Sequence, residues 1–377
     1  METNANSYAC AIIGGGLAGL SLAIQLADAG IQTIVFEKNA YPFHKVCGEY
    51  ISMESWDFLC SLGLPLHNMN LPVIKQLGIS SENGFMLNAP LTLGGFGISR
   101  HTLDHALYLL AKSKGVVVLE NCKVLDVENE NQRSSLITTT VGTYRAEIVC
   151  GSYGKYTPAF AKYSTESKKK NINYIGVKYH IKTDFPEDRI ELHNYEGGYC
   201  GISKVDKESF CLCYLSTSDK LNQSGNDIKQ LEKSILYKNP FLKRIFSRSE
   251  FLFDQPLVIS NITFHKKSTY SNGIFLLGDA AGSITPLCGN GMSMGLRASF
   301  ILSQLVISFF NTNSSKENLI QAYQHAWNNQ FNFRVQAGYY LQSLFGKKIT
   351  THFVLKTLDK LPAVTQKIIG LTHGKPF

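Results

Sequence analysis

Residues 8–37, YACAIIGGGLAGLSLAIQLADAGIQTIVFE, decide the fold of this chain. The segment from Tyr8 to Ile13 is short, apolar and followed by glycine, which is typical of a buried parallel strand. Apolar residues then recur at helical spacing from Leu20 to Ala27. A second apolar run from Ile31 to Phe36 follows a glycine that can end the helix. The order predicts a strand, a tight turn, a helix and a second strand.

The predicted turn carries glycine at each position that a dinucleotide site requires. Gly14 permits the tight turn, Gly16 lets backbone N–H groups approach a pyrophosphate, and Gly19 lets the helix pack close to the strand. The helix start turns the positive end of its dipole toward the phosphates, and Glu37 can accept hydrogen bonds from a ribose. The cofactor-binding residues predicted for this unit are Gly14, Gly16, Leu17, Ala18, Gly19, Glu37 and Lys38.

A second signature lies at residues 273–297, GIFLLGDAAGSITPLCGNGMSMGLR. A strand from Ile274 to Leu277 is followed by Asp279, which can hydrogen-bond a ribityl hydroxyl. The glycine-rich helix start after it can present N–H groups to the N1–C2=O edge of a flavin. A nicotinamide enzyme has no use for this element, so FAD is the predicted dinucleotide. The residues predicted to bind it here are Asp279, Pro286, Gly289, Gly291 and Met292.

With these two segments the chain resembles the FAD-dependent oxidoreductases of the p-hydroxybenzoate hydroxylase fold. Within that group, PFHKVCGE at 42–49 resembles the P-x-x-K-x-C-G-E segment of the geranylgeranyl reductase family. Residues 100–107, RHTLDHAL, resemble that family's R-x-x-L-D-x-x-L helix. The resemblance covers about residues 5–310 and implies that four more residues lie at the FAD: Lys45, Cys47, Gly48 and Arg100.

The resemblance implies a discontinuous α/β architecture. A Rossmann-like FAD-binding domain is expected from residues 1–70, 95–160 and 270–312. An antiparallel-sheet substrate domain is expected from residues 71–94 and 161–269, and a helical region from 313–377. NADPH or NADH is the expected electron donor, but Tyr153 stands where the group usually has Asp. That departure leaves open whether a nicotinamide reduces this flavin directly.

Flavin on this fold supports two main reactions, and the sequence leaves both open. The leading hypothesis is hydride transfer between flavin N5 and a C=C bond of a hydrophobic, isoprenoid- or polyene-like substrate. The alternative is a flavin monooxygenase that hydroxylates an aromatic or polyketide-type substrate through a C4a-hydroperoxide. Cys47 and Tyr199 are the catalytic candidates, and each could be a proton donor or a residue of the site wall. The alternative for both is ordinary packing in the core.

Other classes on this fold fit the sequence less well. Flavin halogenases carry a W-x-W-x-I-P segment, which this chain lacks, so we discount halogenation. A lipid-binding chaperone without flavin is disfavoured by the intact glycines, Glu37 and Asp279. A net charge of +8 is spread along the chain without a basic, aromatic-interleaved stripe, so nucleic acid is not an expected partner.

Nine cysteines without a CxxC pair indicate reduced thiols in a cytosol-like compartment, and we expect no metal site. Residues 341–377 contain six lysines against one acidic residue, interleaved with apolar side chains. Two interpretations stand side by side. The helices pack on the core with their lysines outward, which we favour, or they form a peripheral surface that meets anionic lipid or an acidic carrier presenting the hydrophobic substrate.

Overall fold

The computed structural model of the protein describes residues 6–131, 133–161, 173–262, 267–282 and 289–377. Within these residues the strands, numbered along the chain, are β1 (Ser7–Ile13), β2 (Thr33–Phe36), β3 (Tyr50–Ser52), β4 (Val73–Ser80), β5 (Met86–Gly97), β6 (Val117–Leu119), β7 (Val124–Asn131), β8 (Ser134–Thr139), β9 (Gly142–Gly151), β10 (Tyr174–Lys182), β11 (Arg189–Tyr195), β12 (Gly198–Lys204), β13 (Phe210–Thr217), β14 (Glu250–Phe251), β15 (Leu257–Ile262), β16 (Tyr270–Ser271) and β17 (Ile274–Leu276). The α-helices are α1 (Leu17–Asp28), α2 (Trp56–Leu62), α3 (Arg100–Ser113), α4 (Ser218–Gln223), α5 (Ile228–Ser234), α6 (Pro240–Arg248), α7 (Gly291–Thr312), α8 (Lys316–Leu344), α9 (Lys348–Asp359) and α10 (Pro362–Thr372).

The first sheet has the strand order β16-β17-β9-β1-β2-β6. Strand β1 is parallel to β2 on one side and to β9 on the other, and β9 is in turn parallel to β17. Strands β7 and β8 extend the sheet from β9 as an antiparallel pair. This arrangement puts the carboxyl ends of β1, β2 and β17 at one edge, which is where ligands bind in open α/β sheets.

Helix α1 connects β1 and β2 and packs against α3 and α7. Its buried side chains include Leu20, Ala23 and Ile24, as the helical spacing predicts. The cap residue is Gly16, and the described structure shows neither a side-chain cap nor an acidic residue in the first turn. The first N–H groups of α1 are therefore left for a ligand rather than taken by a side chain.

The second sheet has the order β14-β10-β13-β12-β11-β4-β5-β3, and β15 pairs with β10. An antiparallel sheet was expected, but β4 and β11 run parallel, with Ile79 opposite Leu192. Parallel pairing needs a long connection, and here the chain passes through the first sheet between β5 and β10. Strand β3 also pairs with β5, so residues 50–52 join this sheet although the sequence assigned them to the FAD-binding domain.

The chain ends in four helices, α7 to α10. Helix α7 is long and apolar enough to cross a membrane by length and composition, but 56% of its apolar window is buried inside the molecule, where α7 packs on α1 and α8. Helices α8, α9 and α10 pack on one another, and α9 and α10 also contact β5 of the second sheet. The carboxyl-terminal segment thus bridges the two sheets.

Candidate flavin site and the adjoining cavity

A cavity of about 1120 Å³ is bounded by both sheets and by the carboxyl-terminal helices. Ordinary small-ligand pockets occupy roughly 300–1,000 Å³, so this volume suits a large cofactor with a second molecule beside it. The predicted site residues that line the cavity are Gly14, Gly16, Leu17, Ala18, Glu37, Lys38, Lys45, Cys47, Gly48, Arg100, Tyr199, Asp279, Gly289, Gly291 and Met292. Gly19 lies behind the turn rather than in the lining, and Pro286 falls outside the described residues.

The glycine turn is closed to any side chain at two positions. Gly14 has a φ of +102°, and a Cβ there would stand 2.5 Å from the carbonyl oxygen of Ser152. A Cβ on Gly19 would stand 2.3 Å from the carbonyl oxygen of Gly14. The turn is therefore as tight as a pyrophosphate-binding turn requires, with the helix packed close behind it.

Two cations stand over Gly16. A Cβ at this residue would lie 3.4 Å from Lys45 Nζ and 3.5 Å from Arg100 Nη2. Arg100 also donates from Nε and Nη2 to the carboxylate of Asp104, at 2.8 and 2.6 Å, and Lys45 Nζ lies 3.2 Å from the same group. Two cations and one carboxylate leave one net positive charge beside the start of α1. These residues fit the pyrophosphate of FAD.

Asp104 holds the two cations in place. Burial alone would raise the pKa of its carboxyl group, but the charges of Arg100 and Lys45 hold that pKa below its usual value. The carboxylate is therefore ionised and fixes both side chains at the turn. The R-x-x-L-D pattern sets the Arg–Asp part of this contact, because residues four apart meet on one helix face.

Glu37 ends β2 and is buried. One carboxylate oxygen accepts from the backbone N–H of Gly15 at 3.0 Å, and the other accepts from the backbone and side chain of Asn39 at 3.0 and 2.9 Å. A carboxylate has about four acceptor positions, so capacity remains for a ribose hydroxyl. That role stays a prediction.

The second glycine-rich segment forms the far side of this end of the cavity. Asp279 follows β17 and lines the cavity with Gly289 and Gly291. Cys47 reaches across to the same place, where its Sγ lies 3.6 Å from Met292 Sδ. The segment from the K-x-C-G-E resemblance and the start of α7 therefore meet, although 245 residues separate them in sequence.

Most of the remaining cavity wall is apolar, although Ser203, Thr365, Thr372 and His373 also belong to it. Tyr199 on β12 belongs to a buried cluster with Leu192, Leu215 and Ile262, and it faces the cavity from the second sheet. The aliphatic and aromatic residues that line this part are Leu77, Ile79, Leu87, Ala89, Leu91, Ile190, Leu192, Leu215, Leu341, Leu344, Phe345, Val354, Leu358, Ile368 and Ile369. Several of them come from the carboxyl-terminal helices, which the sequence assigned to a separate region.

Sequence reasoning missed a buried ion-pair network beneath the Lys45–Gly48 loop. The Glu49 carboxylate bonds to Lys178 Nζ and, at 2.6 Å, to His180 Nε2, while the backbone N–H of Arg100 donates to it at 2.7 Å. Glu49 and Lys178 are both fully buried. A signal was present in the sequence, because Lys178 and His180 lie two apart on an otherwise apolar strand and so share a face.

The pKa values of this network favour the charged pair. Burial would raise the pKa of Glu49, but the hydrogen bond from His180 and the charge of Lys178 lower it overall. Burial would lower the pKa of Lys178, but the Glu49 carboxylate that is bonded to it raises that pKa overall. The nearby His44 has its pKa lowered to about 4, first by burial and then by the charge of Lys178.

The network also brings Glu49, His180 and Cys211 together, with their ligand atoms within 4.8 Å of one another. The sequence gave no expectation of a metal site, and this grouping is the candidate that the described residues offer. Burial raises the pKa of Cys211 well above its usual value, and its thiol donates to the Cys47 carbonyl at 3.2 Å. With Lys178 bound to the same carboxylate, the group is better described as an ion pair than as a cation site.

Comparison with known proteins finds a matching family model and relatives that cover most of the chain. Residues 7–136 match the family model described as an FAD binding domain. The chain is 24% identical over 364 residues to conditioned medium factor receptor 1 of Dictyostelium discoideum, covering 86% of this chain and 68% of that protein. It is 20% identical over 339 residues to the digeranylgeranylglycerophospholipid reductase of Methanococcus vannielii, covering 87% and 84%. It is 21% identical over 385 residues to the FAD-dependent monooxygenase adrH of Penicillium rubens, covering 93% and 79%.

Solved structures share the fold. The flavin-dependent brominase Bmp2 superposes with a TM-score of 0.79 at 17% identity, over 97% of this chain and 93% of that one. A geranylgeranyl bacteriochlorophyll reductase-like protein from Thermoplasma acidophilum superposes with a TM-score of 0.78 at 16% identity, over 99% and 97%. The likeness to the brominase is one of fold, and the described residues that line the cavity include no tryptophan.

The glycine turn, the cation pair and the second glycine-rich segment, with these matches, define the class: the chain is an FAD-dependent oxidoreductase on the p-hydroxybenzoate hydroxylase fold. More particularly, it carries an FAD binding domain, and its relatives include both reductases and monooxygenases.

Proposed function

We propose that this enzyme transfers hydride between flavin N5 and a C=C bond of a hydrophobic, isoprenoid- or polyene-like substrate. The observation that carries the proposal is the apolar wall of the cavity, which is continuous with the flavin end and extends to the carboxyl-terminal helices. A chain of aliphatic carbons has no polar group to satisfy, so such a wall can bind it along its length. The name of the Methanococcus relative describes a reductase of a lipid with such chains.

Bound FAD supplies two-electron hydride chemistry. The protein positions the substrate, excludes water from it and supplies a proton. The apolar side chains of β4, β5, β11 and β12 exclude water from the substrate. Cys47 lies at the flavin end beside Met292, and Tyr199 stands on the substrate wall. One carbon of the double bond receives the hydride and the other receives a proton, and each of these two side chains is a candidate donor of that proton.

NADPH or NADH is the proposed electron donor. Tyr153 and Lys155 both line the cavity after β9, and Tyr153 stands where related enzymes usually carry an Asp. A lysine there can meet a phosphate, which supports a nucleotide donor. Rapid anaerobic bleaching of the flavin by one of the two nucleotides, without substrate, is the expected result, and no bleaching by either would contradict direct reduction.

Hydroxylation is the second candidate, favoured by the monooxygenase relative, which covers most of this chain. Product mass separates the two candidates. The purified protein is incubated with NADPH and a geranylgeranyl-bearing ether lipid, in air and under argon, and the lipid is analysed by mass spectrometry. Hydride transfer predicts two added hydrogens per double bond in both atmospheres. One added oxygen, formed only in air, would overturn the proposal in favour of hydroxylation.

A further inference from the structure

The outer side of the carboxyl-terminal helices exposes large apolar side chains. Ile349 is 82% exposed and Phe353 72% exposed, four residues apart on α9. Tyr340 is 75% exposed and Leu344 36% exposed, four residues apart at the end of α8. Single exposed apolar residues are ordinary, but two neighbouring pairs on adjoining helices make a patch. We call this patch of Tyr340, Leu344, Ile349 and Phe353 the C-terminal face.

Two lysines extend the C-terminal face along α9. Lys356 and Lys360 continue the outer stripe of α9, seven and eleven residues after Ile349. Both are exposed, and neither forms an ion pair with any described residue, whereas Lys348 pairs with Glu82 at 3.3 Å. Residues 341–377 hold six lysines and one acidic residue. The patch is thus apolar at its centre and positively charged at its edge.

The opposite side of α9 lines the cavity, and the end of α8 reaches the same wall. Val354 and Leu358 on α9 and Leu344 on α8 all belong to the cavity wall. Leu344 is both part of that wall and exposed to solvent. The apolar lining therefore reaches the protein surface at the C-terminal face.

We propose that the C-terminal face binds the surface of an anionic lipid bilayer. Exposed isoleucine, phenylalanine and tyrosine side chains suit the boundary between headgroups and acyl chains, and unpaired lysines suit anionic headgroups. A bilayer takes up exposed apolar side chains such as Ile349 and Phe353 without a matching pocket, whereas a protein partner needs a complementary apolar surface for them. Where the lining meets the surface at Leu344, a membrane-dissolved molecule can enter the cavity.

The test is sedimentation of the FAD-loaded protein with phosphatidylcholine vesicles, with or without one-third phosphatidylglycerol. We expect binding to the anionic vesicles that weakens as salt rises. The double variant Lys356→Glu/Lys360→Glu should weaken binding to the anionic vesicles at least about 25-fold, because each lysine near the surface contributes about fivefold to the affinity. Ile349→Asp/Phe353→Asp should abolish it. Flavin absorbance and circular dichroism report that each variant is folded and loaded.

Matched controls carry the same changes elsewhere. Val141→Asp changes another exposed apolar residue, 60% exposed on the β8–β9 turn, and Lys233→Glu/Lys243→Glu reverses two exposed charges on α5 and α6. These variants should bind like the wild type. Equal losses in the controls, no binding of the wild-type protein, or self-association that depends on Phe353 without vesicle binding would each overturn the proposal. Vesicle binding needs no turnover, so its failure is distinct from failure of the proposed reaction.

Discussion

Replacing Gly16 with alanine tests the FAD site without disturbing the fold. The backbone of Gly16 has φ −80° and ψ 176°, which alanine adopts freely. Among the described residues, apart from its chain neighbours, the new methyl group would meet Lys45 Nζ and Arg100 Nη2 within 4 Å. It would fill the space between the two cations and the start of α1, which is where the pyrophosphate is expected.

The expected effect follows from these contacts. A pyrophosphate displaced from the two cations gives up charge-assisted hydrogen bonds worth about 1.5–3 kcal/mol each. Losing two of them at the lower end is about 3 kcal/mol, or about 150-fold in affinity for FAD. The FAD-free protein should be as stable as the wild type or about 0.4–1 kcal/mol more stable, because alanine restricts the unfolded chain.

The assay is fluorescence titration of the FAD-free protein with FAD, paired with urea unfolding in the absence of FAD. Gly370→Ala is the matched control, since a Cβ on that residue of α10 meets no atom of the part of the chain that the structure describes within 4 Å. It should leave FAD affinity unchanged and raise stability by up to about 1 kcal/mol. Wild-type FAD affinity in the Gly16→Ala protein would refute the placement of the pyrophosphate.

Three further predictions concern the network and the substrate wall. Glu49→Gln leaves Lys178 buried without its counter-charge and should cost about 3–5 kcal/mol of unfolding free energy in urea at neutral pH. Folding lowers the pKa of Glu49, so ionised Glu49 stabilises the folded protein above the pKa that the group has in the unfolded chain. This stabilisation is lost as the pH falls through the lower pKa of the folded state. Equal loss of unfolding free energy on acidification in the wild type and in Glu49→Gln would contradict this. Tyr199→Phe should slow product formation about 10²- to 10⁴-fold with FAD affinity unchanged if the hydroxyl supplies the proton, and an unchanged rate would reduce Tyr199 to a wall residue. Gly201→Leu narrows the cavity on β12 and should raise KM for long polyprenyl chains more than for short ones, so equal effects on both would count against substrate binding there.

The FAD end of the site could be predicted because its parts are local in sequence. Gly14, Gly16 and Gly19 follow one strand and start one helix, so the spacing alone specifies the turn. Arg100 and Asp104 lie four apart on a helix, and the contact follows from that spacing. The structure places Gly14, Gly16 and Arg100 at the cavity, with Gly19 and Asp104 packed behind them, and their roles toward FAD stay predictions.

The network and the substrate wall could not be predicted, because long-range pairing creates them. Glu49 meets Lys178 only because the Lys45–Gly48 loop lies on β10, 129 residues later in the chain. The parallel pairing of β4 with β11 and the closure of the cavity by Leu358 and Ile369 depend on tertiary packing in the same way. No local pattern distinguishes a helix that lines a cavity from one that covers a core.

The most direct test of hydride transfer is a single turnover without oxygen. The FAD-loaded protein is reduced with dithionite under argon, mixed with a geranylgeranyl-bearing ether lipid in a stopped-flow spectrometer, and followed through the flavin absorbance. The account predicts that the lipid alone returns the oxidised flavin spectrum, in step with the appearance of lipid carrying two more hydrogens. Flavin that stays reduced until oxygen is admitted, with oxygen then found in the lipid, would contradict it.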